Sequence, residues 1–165
     1  MSTKQKTGIE KLEEEYKYIR KNDVFSIIGG SAGPVAKKEY KHWCACFIGP
    51  INTPYHGGLF YIEMKFSDDY PNKAPEVRMR TPIYHPNINC SNGKVCVSYI
   101  NKWKNTNDVI GIVNRVFDLL AEPNPNDGWY KLDEEKAKRF KNKYAVESQN
   151  YDWGSCWNNG WKNDE

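Results

Sequence analysis

From residue 60 to residue 66 the chain alternates without a break: Phe60, Ile62, Met64 and Phe66 are apolar, and Tyr61, Glu63 and Lys65 stand between them. Successive side chains of a strand point to opposite sides, so this period of two reads as a β-strand with one face on a core. Two further runs have the same character. Glu39–Ile48 ends at Gly49-Pro50 and leads into the turn-rich Thr53-Pro54-Tyr55-His56-Gly57-Gly58; Glu76–Arg80 sets Val77 and Met79 opposite Arg78 and Arg80. Strands joined by links this short predict an antiparallel meander with one face on the core.

Around the strands the period changes to that of helices. Ile9, Leu12, Tyr16 and Ile19 recur at steps of three and four with Glu13, Glu14 and Glu15 among them, which predicts an amphipathic helix over 8–21. Gly29-Gly30-Ser31-Ala32-Gly33-Pro34 interrupts any helix. After the polar start Thr106-Asn107-Asp108, the positions Val109, Ile112, Val113, Val116, Phe117, Leu119 and Leu120 form a wide apolar stripe that must be buried, and Pro123 stops it. A last helix is predicted over 131–146, with Leu132, Ala137, Phe140 and Tyr144 inward. Residues 82–105 hold Pro82, Pro86 and a run of Asn, Ser and Gly; a loop of that length in a small domain is commonly functional. There is no repeat and no linker. The expectation is one α+β domain with helices flanking a small antiparallel sheet. Its core would occupy 1–149 behind a flexible 1–7, and a Trp-rich extension, 150–165, would pack on that core through Trp153, Trp157 and Trp161.

Composition removes several function classes. With 24 Lys+Arg against 21 Asp+Glu, the net charge of +3 is too small for a polyanion binder, and the bases are interspersed with acids. No nucleic-acid partner is expected. Nor is a membrane, since no apolar run approaches the roughly 18 residues of a span. Met1-Ser2-Thr3-Lys4-Gln5-Lys6-Thr7 has no apolar segment behind its lysines, unlike a secretory signal. Five cysteines is an odd number, and the expectation is free thiols in a reducing compartment, cytoplasm or nucleus. Cys44 and Cys46 share one face of a strand, where packing is the expected role; no second Cys/His pair stands at zinc spacing. Cys90 and Cys96 flank the turn Ser91-Asn92-Gly93, and Cys156 carries no signal of its own.

The chemistry gathers in the long loop, where Tyr84-His85-Pro86-Asn87-Ile88 is followed by Gly93-Lys94-Val95-Cys96. A thiolate is both a strong nucleophile and a good leaving group, which suits carrying an acyl group as a thioester. An Asn amide is a neutral donor able to face an oxyanion. From spacing alone the plainer account remains the stronger: a loop cysteine, a turn asparagine and a structural histidine.

These motifs resemble the His-Pro-Asn plus active-site-Cys signature of ubiquitin-conjugating enzymes. Ser31-Ala32-Gly33-Pro34-Val35, Tyr55-His56-Gly57-Gly58-Leu59-Phe60, Phe66-Ser67-Asp68-Asp69-Tyr70-Pro71, Trp103 and Glu122-Pro123-Asn124-Pro125-Asn126-Asp127 agree in order, so the resemblance runs from about residue 8 to residue 146. It implies that family's fold: an N-terminal helix, a four-stranded antiparallel meander, then central and C-terminal helices. It also implies a relay. The thiol takes the C-terminal glycine of ubiquitin from an activating enzyme and passes it to a lysine of a protein substrate or to a ligase. ATP is spent upstream, and no cofactor or metal is required.

By this resemblance Cys96 is the nucleophile. Asn87 stabilises the oxyanion or braces the loop, with the catalytic role favoured. Asp127 orients and deprotonates the incoming lysine, whose ammonium has a reference pKa of about 10.4; a plain turn residue before Gly128 is the competing account. His85, with Tyr84 and Asn124, supports the site, because a base beside the thiol would invite hydrolysis. Lys11 matches a basic position that meets the activating enzyme, and Ser31 lies at the centre of a rear surface where some relatives bind a second ubiquitin; an ordinary solvated lysine and an exposed serine are the plain alternatives.

The pattern departs from the family in places. Asn87 and Cys96 are nine residues apart, one more than usual. Asn72 stands where an aromatic anchors a ligase, Trp103-Lys104-Asn105 replaces Trp-Ser-Pro, and Gly128-Trp129 replaces a proline-containing continuation. Ligase anchors are normally apolar, so Asn72 and Lys104 imply an altered ligase surface. A conjugating enzyme for another ubiquitin-like modifier and a non-enzymatic ubiquitin-binding variant are the alternative functions, with a cysteine protease last.

Overall fold

The computed structural model describes residues 4–126, 128 and 130–146. Asp127, Trp129, Cys156 and the Trp-rich extension lie outside the described residues, so the expectations placed on them are not addressed by it.

The first helix, α1, spans Gly8–Asn22. It begins with a capping box: Glu10 N–H donates to Thr7 Oγ1 at 3.1 Å, and Thr7 N–H donates to Glu10 Oε2 at 2.9 Å, so two of the unpaired donors of the first turn are satisfied. Leu12 and Ile19 are buried, but Ile9, placed on the same stripe by periodicity, is 46% exposed. Glu15 is not part of a solvated acidic face. Its Oε1 accepts from Val109 N–H at 2.8 Å and its Oε2 from Tyr70 O–H at 2.7 Å, which ties α1 to the start of α3 (Val109–Ala121). Burial raises its pKa, outweighing those hydrogen bonds and the nearby Lys11 charge.

Four antiparallel strands follow in the order β1 (Ser31–Pro34), β2 (His42–Ile48), β3 (Leu59–Lys65) and β4 (Glu76–Met79). Strand β1 falls inside the stretch read only as an interruption, and β2 begins at His42 instead of residue 39. Gly30 precedes β1 because a Cβ there would lie 2.2 Å from the Cys46 carbonyl oxygen. The register pairs Trp43 with Met64, Ala45 with Ile62 and Ile62 with Met79, which stacks the inward residues row on row. Over that face lie Val109, Ile112, Val113, Val116, Leu119 and Leu120 of α3, with Ala137 of α4 (Glu134–Tyr144). Asp108 caps α3, its Oδ1 accepting from Gly111 N–H at 2.9 Å.

The outer face of the sheet differs from a solvated surface. Tyr61 and Glu63 are 8% and 4% exposed, and Cys44 is fully buried. Glu63 Oε2 meets His42 Nε2 at 2.9 Å, and Oε1 faces Arg80 at 3.8 Å. Burial pushes the Glu63 carboxyl up, but the His42 hydrogen bond and the Arg80 and Lys65 charges outweigh it, and its pKa is lowered on balance. Cys46, Cys90 and Cys96 are free thiols. Cys44 is disulfide-bonded, which departs from the expectation that the thiols stay free.

Among the described residues no helix is long and apolar enough to cross a membrane, and no group of three His, Cys, Asp or Glu side chains could hold a metal.

Candidate functional site

The loop between β4 and α3 is more regular than its composition predicts. Isolated bridges join His85 to Ile88 and Ile88 to Val95, and a short helix, α2, covers Ser98–Asn101. The nine-residue span from Asn87 to Cys96 folds back on itself. Gly93 N–H donates to Asn89 O at 2.8 Å, Asn89 N–H to Lys94 O at 2.9 Å, and Cys96 N–H to Asn87 O at 2.8 Å. Gly93 has φ +73°, in the left-handed region that favours glycine at the turn. The asparagines of this stretch also have a local use: Asn89 Oδ1 accepts from Ser91 N–H at 2.8 Å and Asn92 Oδ1 from Lys94 N–H at 2.9 Å.

Asn87 and His85 are both fully buried. Asn87 Nδ2 donates to Asn124 O at 2.8 Å, and its Oδ1 accepts from Asn124 N–H at 2.9 Å, so one side chain pins the segment that follows α3. His85 Nδ1 accepts from Asn87 N–H at 3.0 Å, which leaves Nε2 as the protonated nitrogen, donating to Leu119 O at 2.9 Å. Burial depresses the imidazole pKa to about 4, partly offset by the Leu119 carbonyl. A neutral ring with both nitrogens engaged by backbone is not a base for the thiol.

Tyr84 and Tyr130 complete the bracket. Their rings stack at 4.7 Å, and the Tyr130 hydroxyl donates to His85 O at 2.5 Å while accepting from His85 N–H at 3.1 Å. Burial moves the Tyr130 phenol up to about 12, so it stays protonated and able to donate. Tyr55 O–H donates to Tyr84 O at 2.6 Å.

Cys96 stands apart from this bonding. Its thiol is free and half-buried, and the side-chain contact described for it is Asn101 Nδ2–H donating to Sγ at 3.4 Å. It lines a groove of about 190 Å³ with Asn124, Asp118, Glu122, Arg115 and Leu119. The arrangement presents a nucleophile on a rigid loop beside an open groove, with no imidazole free to activate water there.

Thus the structure brings Cys96, Asn87, His85, Tyr84 and Asn124 together. Lys11, Ser31, Asn72 and Lys104 lie elsewhere, and none of these four lines the groove. Lys11 Nζ donates to Asn105 O at 3.3 Å and sits 5.3 Å from the Tyr70 ring centroid. Asn72 and Lys104 are exposed on two loops joined by Trp103 Nε1–H donating to Pro71 O at 2.7 Å. Ser31 is exposed on β1, 3.6 Å from Cys46 Sγ. Sequence reasoning missed Tyr130, Asn101, Asp118 and Glu122. The first two are long-range or geometric partners without a motif, whereas the acids belong to the polar side of the α3 pattern and could have been projected beside Pro123.

Comparisons with known proteins bear on the family and the fold. The family model described as ubiquitin-conjugating enzyme matches residues 11–152, well over half of the chain. The E2 domain of a Toxoplasma gondii ubiquitin conjugating enzyme superposes with a TM-score of 0.71 at 25% identity, over 82% of this chain and 97% of that one. A Plasmodium yoelii protein, titled as a candidate ubiquitin conjugating enzyme, shares the fold with a TM-score of 0.74 at 24% identity, over 87% of this chain and 99% of that one. A helix, a four-stranded meander, a His-Pro-Asn bracket and a groove-side thiol in this order, together with that match, place the chain in the ubiquitin-conjugating enzyme family.

Proposed function

We propose that the chain carries ubiquitin as a thioester on Cys96 and transfers it to a lysine amine of a protein substrate or to the cysteine of a ligase. The observation that carries this reading is the contrast within one loop: a free, half-exposed thiol lines an open groove, while both nitrogens of the neighbouring imidazole are engaged by backbone. Such a site can exchange acyl groups between thiols without a base that hydrolyses the product.

In this reading the Cys96 thiolate attacks the thioester carbonyl that links ubiquitin to the activating enzyme, and the activating enzyme's thiolate leaves. In the second step an amine attacks the Cys96 thioester carbonyl, Sγ departs, and the amine loses a proton. Asn87 braces Asn124 in the resting state with one amide hydrogen, and its second is the donor offered to the oxyanion. Asp127 remains the proposed acceptor for the lysine proton. Lys11 is the proposed contact for the activating enzyme and Ser31 for a second ubiquitin, while Asn72 and Lys104 shape an altered ligase surface.

The test is to mix the protein with activating enzyme, ATP and ubiquitin and compare non-reducing with reducing gels. A thiol-sensitive adduct supports the reading. Its absence where a control enzyme charges, followed by charging with another modifier, would move the function to that modifier. Absence with every modifier would leave the binding variant.

A further inference from the structure

The short helix α2 brings a side-chain amide to the thiol. Asn101 Nδ2–H donates to Cys96 Sγ at 3.4 Å. Both partners are placed by their backbones. Cys96 N–H donates to Asn87 O at 2.8 Å, just after the bridge between Ile88 and Val95. Asn101 N–H donates to Val97 O at 3.0 Å and Lys102 N–H to Ser98 O at 2.8 Å, which closes the turn that carries Asn101. Side chains of a helix lean toward its N-terminus, so the amide is directed back over the preceding turn, where Cys96 stands. The turn is in turn tied to the start of α3. Tyr99 O accepts from Asn107 Nδ2–H at 3.2 Å, the Tyr99 hydroxyl accepts from Asp108 N–H at 3.1 Å, and a Cβ at Gly111 would overlap that hydroxyl.

The rest of the groove offers a negative sulfur little help. Asp118 and Glu122 line it beside Cys96, and their charges disfavour a thiolate. Arg115 lines it too, but its guanidinium is shared between Asp118 Oδ2 at 3.7 Å and the Tyr99 ring, 5.8 Å from the centroid. Asn87 spends its Oδ1 and one amide hydrogen on Asn124. The Asn101 amide is neutral, so it can donate to sulfur without repelling an incoming ammonium as a lysine there would.

We propose that Asn101 is a second catalytic amide of the site, donating to Cys96 Sγ while the sulfur carries negative charge, both as attacking thiolate and as leaving group. The proposal rests on the reading of Cys96 as the acyl carrier. In discharge the amine nitrogen attacks the thioester carbonyl carbon, and the C=O electron pair moves to oxygen. When that pair returns, the C–S bond breaks with its electrons on Sγ, the new C–N bond remains, and the nitrogen's proton passes to solvent. Oxygen and sulfur carry charge at different stages, so the two amides serve different atoms: Asn87 the oxyanion, Asn101 the departing sulfur. A donor bonds an ionised acceptor more strongly than a neutral one. Asn101 therefore holds the thiolate more tightly than the thioester sulfur, which favours departure.

Two variants of the full chain test this, Asn101→Ala and the isosteric Asn101→Asp, which replaces the donor with a carboxylate. Alkylation of Cys96 by iodoacetamide, followed by peptide mass near neutral pH, should slow about threefold to tenfold in Asn101→Ala and further in Asn101→Asp. Above the thiol reference pKa of about 8.5 the Asn101→Ala and wild-type rates should converge, because both sulfurs are then ionised. Discharge of a preformed ubiquitin adduct to free lysine should slow by a similar factor in Asn101→Ala. Equal alkylation in all three proteins would overturn the proposal. So would slowing by one factor at every pH, which marks altered access to the thiol, or discharge at the wild-type rate. Alkylation needs neither ubiquitin nor activating enzyme: a wild type that never charges sinks the carrier reading, whereas a wild type that charges and variants that match it sink only the role of Asn101.

Discussion

The two ends of the segment from Tyr84 to Cys96 are built in opposite ways. At the first, His85 and Asn87 have no exposed surface, and each polar side-chain atom of His85 and the Oδ1 of Asn87 is bonded to backbone. At the second, Cys96 holds its place through its backbone, N–H to Asn87 O at 2.8 Å, and keeps its sulfur free at the groove. The rigid end fixes where the thiol stands; the loose end leaves it able to react. Stability and chemistry should therefore separate under mutation.

The largest effect is expected at the loose end, where Cys96→Ala should abolish the ubiquitin adduct while shifting stability by less than about 1 kcal/mol, read by urea unfolding. A second break comes from pH. The unfolded imidazole has a reference pKa of about 6.5, whereas His85 in the fold sits at about 4. The unfolded chain thus binds the extra proton first as pH falls, and stability should decline between 6.5 and about 4, on the order of 3 kcal/mol. Unfolding curves across that window should show the slope in the wild type and a shallower one in His85→Gln.

Asn87→Ala removes both bonds to Asn124 and should cost about 2 kcal/mol. If Asn87 also serves the oxyanion, discharge of a preformed adduct to free lysine should fall beyond what the lost stability explains. Tyr130→Phe breaks the hydroxyl's two contacts with His85 and should cost about 1 kcal/mol, with charging intact. The smallest change is expected for Asn101→Ala, under about 0.5 kcal/mol, with a measurable change in the rate at which Cys96 is alkylated.

Periodicity made much of this fold legible. Strands β3 and β4 and helices α1, α3 and α4 carry apolar residues at a fixed repeat, and their positions agree with the pattern to within a few residues at the ends. Strand β1 escaped because Ser31-Ala32-Gly33-Pro34 has no alternation and draws its partners from β2. The outer face of β3 escaped for a related reason: Glu63 reads as solvated until His42 and Arg80 are brought to it from neighbouring strands. Glu15 is the same case, since its partners Tyr70 and Val109 are remote in sequence.

In the site, the order of His85, Asn87 and Cys96 was visible as a motif resemblance, and the lengthened span before Cys96 could be counted. What could not be read was how Asn87 is used. Its bonds to Asn124 form only once the loop and the end of α3 meet. The carbonyl of Leu119, which fixes the His85 tautomer, is likewise a backbone group that leaves no mark in sequence.

The central claim is that Cys96 is the acyl carrier, and the most direct measurement compares wild type with Cys96→Ser in single-turnover charging by activating enzyme, ATP and ubiquitin. The account predicts an adduct lost on thiol treatment in the wild type and a thiol-resistant, alkali-labile oxyester in the serine variant. A thiol-sensitive adduct that persists in Cys96→Ser would place the carrier on another cysteine and contradict the account.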